Sequence, residues 1–425
     1  MTAIHQSSSV ATLERRNPEQ ERVFDVFRRW GYLQADLDPL GQHLHPLPFS
    51  DLDELTGPVA DEARRIYCGT IGAEFMYITD PEQRRWIIER MESDPGAVDR
   101  ERVLSLLLKS EVFEQTLQSR YLGTKRFSLE GVATLIPALD VALQCALEHG
   151  AVMGVIAMSH RGRLTVMTQI VGTRAADVFS RFEDVDPRSV LGGGDVKYHI
   201  GATGQYQAPN GATMGAHLVS NPSHLEAVDP VAMGRTRAKQ TRLGEDGQAQ
   251  VVEIAIHGDA AFAGQGIWAE TMNMAELPAY TIGGSLHIIA NNLVGFTTNP
   301  CDEQSSRFSS DLSKRNNVPV FHVNAEDPEA VVRVARMAME FRYEFGRDVV
   351  IDLIGFRRHG HSEVDDPTIT QPLRYAKIKD HPPVYESYGR KLGADVKHQV
   401  EQYQGELLDA QKEGAAATRQ PQFHT

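Results

Sequence analysis

Residues 257–266 (HGDAAFAGQG) decide the fold of this chain when they are considered together with residues 291–294 (NNLV). The run before them, residues 251–256 (VVEIAI), is short, apolar and rich in β-branched side chains, and it stops at Gly258. A buried parallel strand has this pattern where it enters a turn. A second apolar run, residues 286–290 (LHIIA), also ends in polar residues, so the sequence predicts two neighbouring strands with polar tips.

A strand–helix–strand unit fits between these two tips. Residues 264–277 carry apolar side chains at roughly helical spacing, and Pro278 stops the segment. Asp259 and Asn292 lie 33 residues apart (292 − 259), and ligands bind at the carboxyl ends of strands in open α/β sheets. A carboxylate, an amide oxygen and a nearby backbone carbonyl are suitable ligands for a Mg²⁺ ion that carries a diphosphate. The alternative is that Asp259 caps the helix and residues 291–292 form a turn.

Strand and helix patterns alternate on both sides of this unit. Strands are predicted at residues 152–158, 251–256, 286–290, 318–323 and 349–356, and helices at residues 135–149 and 328–345. The alternation predicts an α/β protein with a doubly wound, mostly parallel sheet. The predicted division is a disordered tail (1–20), a helical N-terminal region (21–122), the main α/β domain (123–372) and a C-terminal helical linker and tail (373–425).

The composition narrows the class of protein. The chain has 425 residues, 41% of them hydrophobic, and a net charge of −14, which argues against nucleic acid as a partner. No run of about 18 apolar residues appears, so no contact with a membrane is predicted. The three cysteines lie far apart, which argues against a disulfide framework or a zinc site and favours a reducing compartment, the cytoplasm.

Four further polar segments also draw attention. An arginine in Arg-Gly-Arg can grip a carboxylate or phosphate in a bidentate fork, or it can lie in a solvated loop. His199 follows a glycine-dense stretch, where a lone histidine is usually a structural hydrogen-bonding group, and Asn221 or Ser223 can cap a helix. The segment at residues 357–367, with its mixed charges, would be a surface loop in most proteins. The four are residues 158–164 (MSHRGRL), 192–201 (GGGDVKYHIG), 221–227 (NPSHLEA) and 357–367 (RRHGHSEVDDP).

The combined pattern resembles a known family. An aspartate after glycine at a strand end, with paired asparagines one unit later, resembles the thiamine diphosphate motif. GDAAFAGQG and GGSLHIIANNLVGFTT look like the thiamine-dependent first component of the 2-oxoglutarate dehydrogenase complex, and HRGRL, GDVKYHIG and NPSHLEA are similar to segments of the same family. The resemblance runs from about residue 31 to about residue 404 and covers about the first half of the usual family member.

The resemblance implies a thiamine diphosphate-binding fold and a set of site residues. Asp259, Asn292 and the carbonyl group of Val294 would hold Mg²⁺. Arg161, His199 and His224 would bind the substrate, and the two histidines would also act in catalysis. The residues implied to contact the cofactor are Arg161, Ser223, Leu225, Asp259, Ala260, Ala261, Asn292 and His361.

The resemblance also implies the reaction and the partners. The reaction is thiamine diphosphate-dependent oxidative decarboxylation of 2-oxoglutarate, with succinyl transfer to the lipoyl group of a succinyltransferase. Two histidines and an arginine are suitable for binding a dicarboxylate. 2-Oxoadipate or another 2-oxo acid is the alternative substrate. The family's pyrimidine-binding domain is not found in this sequence. We therefore expect an oligomer that needs a partner chain carrying that domain; a non-catalytic truncated paralogue or an assembly protein is the other alternative.

Two residues depart from the family pattern. Ser159 stands where proline is usual, which predicts a less rigid loop before Arg161. His359 stands where arginine is usual.

Overall fold

One mixed sheet forms the centre of the molecule. The computed structural model describes residues 16–183, 199–221 and 224–416, and within them one sheet has eight strands. In chain order they are β1 (Ile71–Glu74), β2 (Met153–Met158), β3 (Ala202–Gln207), β4 (Thr213–Leu218), β5 (Val251–Gly258), β6 (Ser285–Asn291), β7 (Val320–Asn324) and β8 (Val349–Ile354). Their spatial order is β1-β7-β8-β6-β5-β2-β4-β3. Only the two edge strands of this sheet, β1 and β3, run antiparallel to their neighbours, so the predicted mostly parallel α/β sheet is confirmed.

Helices make up most of the remaining described residues. They are α1 (Pro18–Trp30), α2 (Ser50–Asp53), α3 (Pro58–Tyr67), α4 (Pro81–Glu92), α5 (Arg100–Arg120), α6 (Leu135–Glu148), α7 (Arg163–Gln169), α8 (Ala175–Phe182), α9 (Val228–Leu243), α10 (Gly247–Gln250), α11 (Asp259–Gly264), α12 (Gly266–Met274), α13 (Pro300–Glu303), α14 (Pro328–Phe345), α15 (Pro372–Lys379), α16 (Val384–Leu392) and α17 (Lys397–Ala416). In the part of the chain that the structure describes, no helix combines the length and apolar character needed to cross a membrane.

The sheet is covered on both faces, as the sequence predicted. Successive residues of a strand point to opposite sides, and in β2 the side chains of Ile156 and Met158 join the core that contains α6 and α14. Val155 and Ala157 instead pack with Val228 and other residues of α9. Because both faces are buried, the strands appear in the sequence as continuous apolar runs.

The N-terminal region is mostly helical but also contributes an edge strand. α1 begins at Pro18, where the Asn17 side chain accepts from backbone N–H groups and forms a capping box with Gln20. This helix overlaps the last three residues of the predicted tail. β1 pairs antiparallel with β7, so the region is tied to the sheet by main-chain hydrogen bonds that its sequence did not predict.

The helix after β5 begins earlier than predicted and is interrupted. α11 starts at Asp259, directly after Gly258, and α12 starts at Gly266. Gln265 between them is extended, with φ −92° and ψ 119°. The prediction of one helix over residues 264–277 was therefore wrong at its start, because glycines on both sides of Gln265 make an extended break inexpensive. The helix also ends at Met274, three residues before the predicted end.

Candidate functional site

The tips of β5 and β6 lie side by side. These strands are paired in parallel, with Gly258 opposite Ala290. Asp259 and Asn291 therefore follow at the same edge of the sheet, the carboxyl edge where α/β proteins bind ligands. The register confirms that the two predicted strand tips meet.

The two asparagines at the end of β6 have different environments. Asn291 donates from Nδ2 to Asp352 at 2.9 Å, and its Oδ1 accepts the N–H of Leu293 at 3.0 Å. The side chain of Asn292 is buried as well, yet its Oδ1 has no hydrogen-bond partner among the residues that the structure describes. The side chain of Asn291 thus forms hydrogen bonds within the protein, whereas Asn292 has a buried oxygen available for a ligand.

Asp259 is a buried carboxylate that lacks a close cationic partner among the described residues. It is 7% exposed. Burial raises the pKa of Asp259, although hydrogen bonds from the N–H groups of Ala260 and of Asp259 itself and the charge of Arg161 oppose this rise. A divalent cation beside this carboxylate would supply the missing positive charge, so the donor set of Asp259 and Asn292 fits a metal with oxygen ligands.

The loop that follows Asn292 has an unusual backbone. Leu293 and Phe296 both have φ of 54°, in the left-handed region that costs an L-residue roughly 1–2 kcal/mol. Between them, a Cβ on Gly295 would lie 2.9 Å from the Cβ of Ala260 and closer still to the carboxylate of Glu303. Glycine at 295 therefore lets this loop approach the start of α11 closely.

One small cavity of about 60 Å³ is lined by most of the predicted site residues. The predicted residues that line it are Arg161, Leu225, Asp259, Ala260, Ala261, Asn292, Val294 and His361. They come from five separate parts of the sequence. The structure thus brings together the three predicted metal ligands and most of the predicted cofactor contacts.

Three predicted residues are not among those lining the cavity in the described part of the chain. Ser223 lies outside the described residues. His224 is exposed, and His199 is partly buried, with its carbonyl group accepting the N–H of Asn221 at 3.0 Å. His199 and His224 each adjoin a segment outside the described ranges, so their roles in substrate binding and catalysis stay predictions.

Arg161 and His361 meet at one side of the cavity. Arg161 donates to the carbonyl oxygen of Ser128 at 2.8 Å and to that of His361 at 3.4 Å. Burial lowers the pKa of Arg161 to about 10, and the nearby Arg357 contributes to the shift, so Arg161 remains a cation at neutral pH. Burial, Arg161 and Arg357 lower the pKa of His361 to about 4. His361 is therefore neutral at pH 7 and can donate one hydrogen bond without adding charge.

The loop before Arg161 is anchored despite the serine at residue 159. The N–H of Ser159 donates to the carbonyl oxygen of Ile256 at 3.1 Å. Proline has no N–H and could not form this hydrogen bond. The main-chain bond to β5 thus restrains the loop that the sequence predicted to be less rigid.

Three polar side chains that the sequence analysis did not single out also line the cavity: His160, His257 and Arg357. Arg357 is buried, and its Nη1 has no hydrogen-bond partner among the described residues. Arg357 lies three residues after β8, which ends at Ile354. It is the first polar residue beyond that strand, and this position could have identified it, since Asp259 and Asn292 also lie just beyond the ends of β5 and β6.

A buried network fixes the segment that contains Leu225. His257 Nδ1 lies 2.7 Å from Glu226 Oε2, and His257 Nε2 lies 3.1 Å from Nδ1 of His287. Ligand-type atoms of Glu226, Asp229 and His257 lie within 4.8 Å of one another. The 2.7 Å distance is that of a hydrogen bond. The contact between Glu226 and His257 therefore links residues 225–227 to β5.

Two larger cavities lie elsewhere, between the α4–α5 connection and α14. Their volumes are about 300 and 640 Å³, and Arg333 lines both. Their arginines are largely engaged: Arg102 pairs with Asp140, Arg100 pairs with Glu329, and Arg333 donates to backbone carbonyl groups. Cavity volume alone therefore does not identify the functional site. The smaller cavity at the carboxyl edge is the better candidate, because oxygen atoms that could bind a metal ion border it.

The fold and this cavity define an α/β protein with a polar ligand site at the carboxyl edge of its sheet. The sequence pattern of the dehydrogenase E1 component family matches residues 107–421. The chain is also 42% identical, over 438 aligned positions, to the "Multifunctional 2-oxoglutarate metabolism enzyme" of Mycolicibacterium vanbaalenii; the match covers 93% of this chain and 35% of that protein. The chain belongs to the dehydrogenase E1 component family, whose members depend on thiamine diphosphate and generally on a divalent metal. It spans about a third of the length of that curated relative.

Proposed function

We propose that this chain is the diphosphate- and metal-binding part of a thiamine diphosphate-dependent enzyme that decarboxylates 2-oxoglutarate. The observation that carries the proposal is the buried Oδ1 of Asn292, which has no hydrogen-bond partner among the described residues and borders the same cavity as Asp259 and Val294. Leaving a buried acceptor unpaired costs about 1–3 kcal/mol. A bound metal ion would remove that cost.

The chemistry of these groups suits Mg²⁺. This ion prefers oxygen ligands and keeps coordination positions for phosphate oxygens and water. Asp259 would supply the charge, Asn292 the amide oxygen and Val294 a backbone carbonyl. Thiamine diphosphate, when bound, supplies the carbanion chemistry that decarboxylation of a 2-oxo acid requires. The small side chains of Ala260 and Ala261 leave room for the cofactor in this cavity.

Arg161 supports an acidic substrate. It remains cationic at neutral pH and borders the cavity, so it can bind a carboxylate through charge-assisted hydrogen bonds. The similar protein from Mycolicibacterium vanbaalenii carries 2-oxoglutarate in its name, and we assign the same substrate here. In this proposal, His199 and His224 also contact the substrate. 2-Oxoadipate, which offers the same two carboxylates one methylene further apart, is the alternative.

The proposed reaction ends on a second protein. We propose that the succinyl group passes to the lipoyl group of a succinyltransferase and that a partner chain supplies the pyrimidine-binding domain within an oligomer. This part rests on the family resemblance and on membership of the E1 component family. The residues of the present chain would hold the metal and the diphosphate, orient the substrate and exclude water.

Calorimetric titration of thiamine diphosphate with Mg²⁺ tests the metal role. We expect binding heat with the wild-type chain and its loss in Asp259→Ala, because the variant lacks the one carboxylate among the proposed ligands. A fall in affinity of at least about tenfold is expected for a residue that coordinates the ion. Asn292→Ala should weaken binding in the same direction.

A matched control is available at the opposite end of the sheet. Asp348 is a buried aspartate whose carboxylate accepts the N–H of Ser285 at 2.8 Å, at the start of β6 and away from the cavity. Asp348→Ala should retain the binding heat even if its stability falls. Equal heats for Asp259→Ala and the wild type would contradict the proposed metal site.

A further inference from the structure

An arginine from a distant part of the chain holds the loop after β6. Arg374, in α15, donates from Nη1 to the carbonyl oxygen of Leu293 at 2.9 Å and from Nη2 to that of Asn292 at 2.7 Å. The arginine is 4% exposed, so water competes little for these hydrogen bonds. The two carbonyl groups that precede Val294 are therefore both engaged by one guanidinium group.

The backbone that Arg374 holds is strained. Leu293 lies in the left-handed region with φ of 54°, and a non-glycine residue keeps such a conformation only where its surroundings enforce it. The side chain of Asn292 and the carbonyl group of Val294 lie on either side of Leu293 in the sequence. The conformation of Leu293 thus determines how these two proposed ligands are directed relative to each other.

Helix α15, which carries Arg374, is attached to the N-terminal region of the chain. Lys377, one turn along the helix, donates to the carbonyl oxygen of Leu40 at 3.1 Å. Asp38, whose carboxylate accepts the N–H groups of Leu40 and His43, stabilises the charge of Arg374. Burial nevertheless lowers the pKa of Arg374 overall. Helix α15, which carries Arg374, is therefore attached through Lys377 to a segment of the N-terminal region.

We propose that Arg374 is a positioning residue that fixes the main chain of residues 292–294 so that the Asn292 side chain and the Val294 carbonyl face a metal ion together. This inference rests on the proposed function and adds a residue that does not line the cavity. Arginine suits the task because its planar fork donates two hydrogen bonds in a set direction, whereas lysine is a flexible point donor. Arg357 holds the other end of the loop through the carbonyl oxygen of Phe296 at 2.9 Å, but it borders the cavity and is less suitable for a test.

Titration with Mn²⁺, followed through the electron paramagnetic resonance signal of the free ion, tests this role without any turnover. We expect Arg374→Met to raise the Kd for Mn²⁺ by about 10- to 100-fold, the usual effect of losing a residue that orients metal ligands. Arg374→Lys should give an intermediate Kd, because one ammonium group can reach one carbonyl at a time. A wild-type Kd in either variant would overturn the proposal, and the lysine variant decides if the methionine variant does not fold.

Arg342→Met is the matched control for a merely structural role. Arg342 is 2% exposed and also donates to backbone carbonyl groups, those of Gly284, Gln248 and Ile282, but at the starts of β5 and β6. Arg342→Met should lower the melting temperature and leave the Kd for Mn²⁺ unchanged. Asp259→Ala separates the two proposals: if it binds Mn²⁺ like the wild type, the proposed metal site fails, and if it loses binding while Arg374→Met does not, only the positioning role fails.

Discussion

Glu253 is a carboxylic acid buried in β5, where its carboxylate accepts from the hydroxyl group of Ser285 at 2.8 Å. Burial raises the pKa of Glu253 to about 8. The unfolded chain loses this proton near pH 4.3, so between about pH 4.3 and 8 the folded state binds more protons than the unfolded state. Stability contributed by this residue therefore falls as the pH rises through that window.

Replacing Glu253 by glutamine should remove this pH dependence. Glutamine retains an oxygen that can accept from Ser285, and we expect the free energy of unfolding of Glu253→Gln to fall less steeply between pH 5 and 8 than that of the wild type. Each unit of pKa difference corresponds to about 1.4 kcal/mol. Urea unfolding at a series of pH values measures the effect, and the exposed Glu101→Gln serves as the control. Parallel curves for the wild type and Glu253→Gln would refute the expectation.

Residues that border the carboxyl-edge cavity could be predicted when they directly follow apolar strands. Asp259 and Asn292 satisfied that rule, and the structure brings them to one cavity. Arg357 was missed because it lies in a run of mixed charges that resembles a solvated loop. Arg374 could not be predicted at all, since its hydrogen bonds reach residues about 80 positions away and only the packing of α15 creates them.

At the scale of elements, β1 is attached to the sheet by a buried charge pair as well as by main-chain bonds. His322 of β7 lies 2.9 Å from Glu74 of β1 and 2.8 Å from Asp352 of β8. Burial alone would lower the pKa of His322, but these two carboxylates outweigh it and raise the pKa to about 9. The stabilisation is therefore fully present below the unfolded pKa of about 6.5 and is lost as the pH rises through about 9.

His322→Gln should loosen this edge of the sheet. Removing one partner from a buried charged group typically costs about 3–5 kcal/mol, and we expect a loss of that order at pH 6.5 that shrinks towards pH 10. Urea unfolding measures the loss, and amide hydrogen exchange of residues 71–74 should become faster. The exposed His398→Gln in α17 is the control. A loss that does not change with pH would contradict a charged His322.

Elements with clear end signals were predicted better than short edge strands. α14 was located at both ends, because Asp327 caps it, Pro328 opens it and Gly346 ends it in a left-handed conformation. β1, β3 and β4 were missed. β1 has only four residues, and β3 exposes alternate polar side chains, so neither carries the apolar run by which the inner strands were recognised.

At the scale of the molecule, the proposed dependence on a partner can be tested directly. We expect no 2-oxoglutarate decarboxylation above background from the purified 425-residue chain with thiamine diphosphate and Mg²⁺, because the proposed function assigns the pyrimidine end of the cofactor to a partner chain. Activity should appear on mixing with a chain that carries that domain, measured as release of carbon dioxide. The mixture made with Asp259→Ala should stay inactive. Robust turnover by the single chain would refute the expectation.

The layered α/β architecture could be predicted because alternation of strands and helices allows few topologies. The order of strands could not. Nothing local in residues 71–74 indicates that they pair with residues 320–323, which lie about 250 positions further along the chain. The predicted boundary at residue 372 likewise stays a prediction, and Arg374 lies just beyond it.

The origin of Arg374 has a practical consequence for anyone who wishes to shorten this protein. A fragment that stops at the end of β8 would keep every described strand and the proposed ligands Asp259 and Asn292, and it would look complete in a diagram of the sheet. It would nevertheless lack Arg374, whose guanidinium group forms hydrogen bonds with the main chain directly after β6. The smallest fragment worth purifying therefore extends through α15 and retains the segment around Asp38 against which that helix rests.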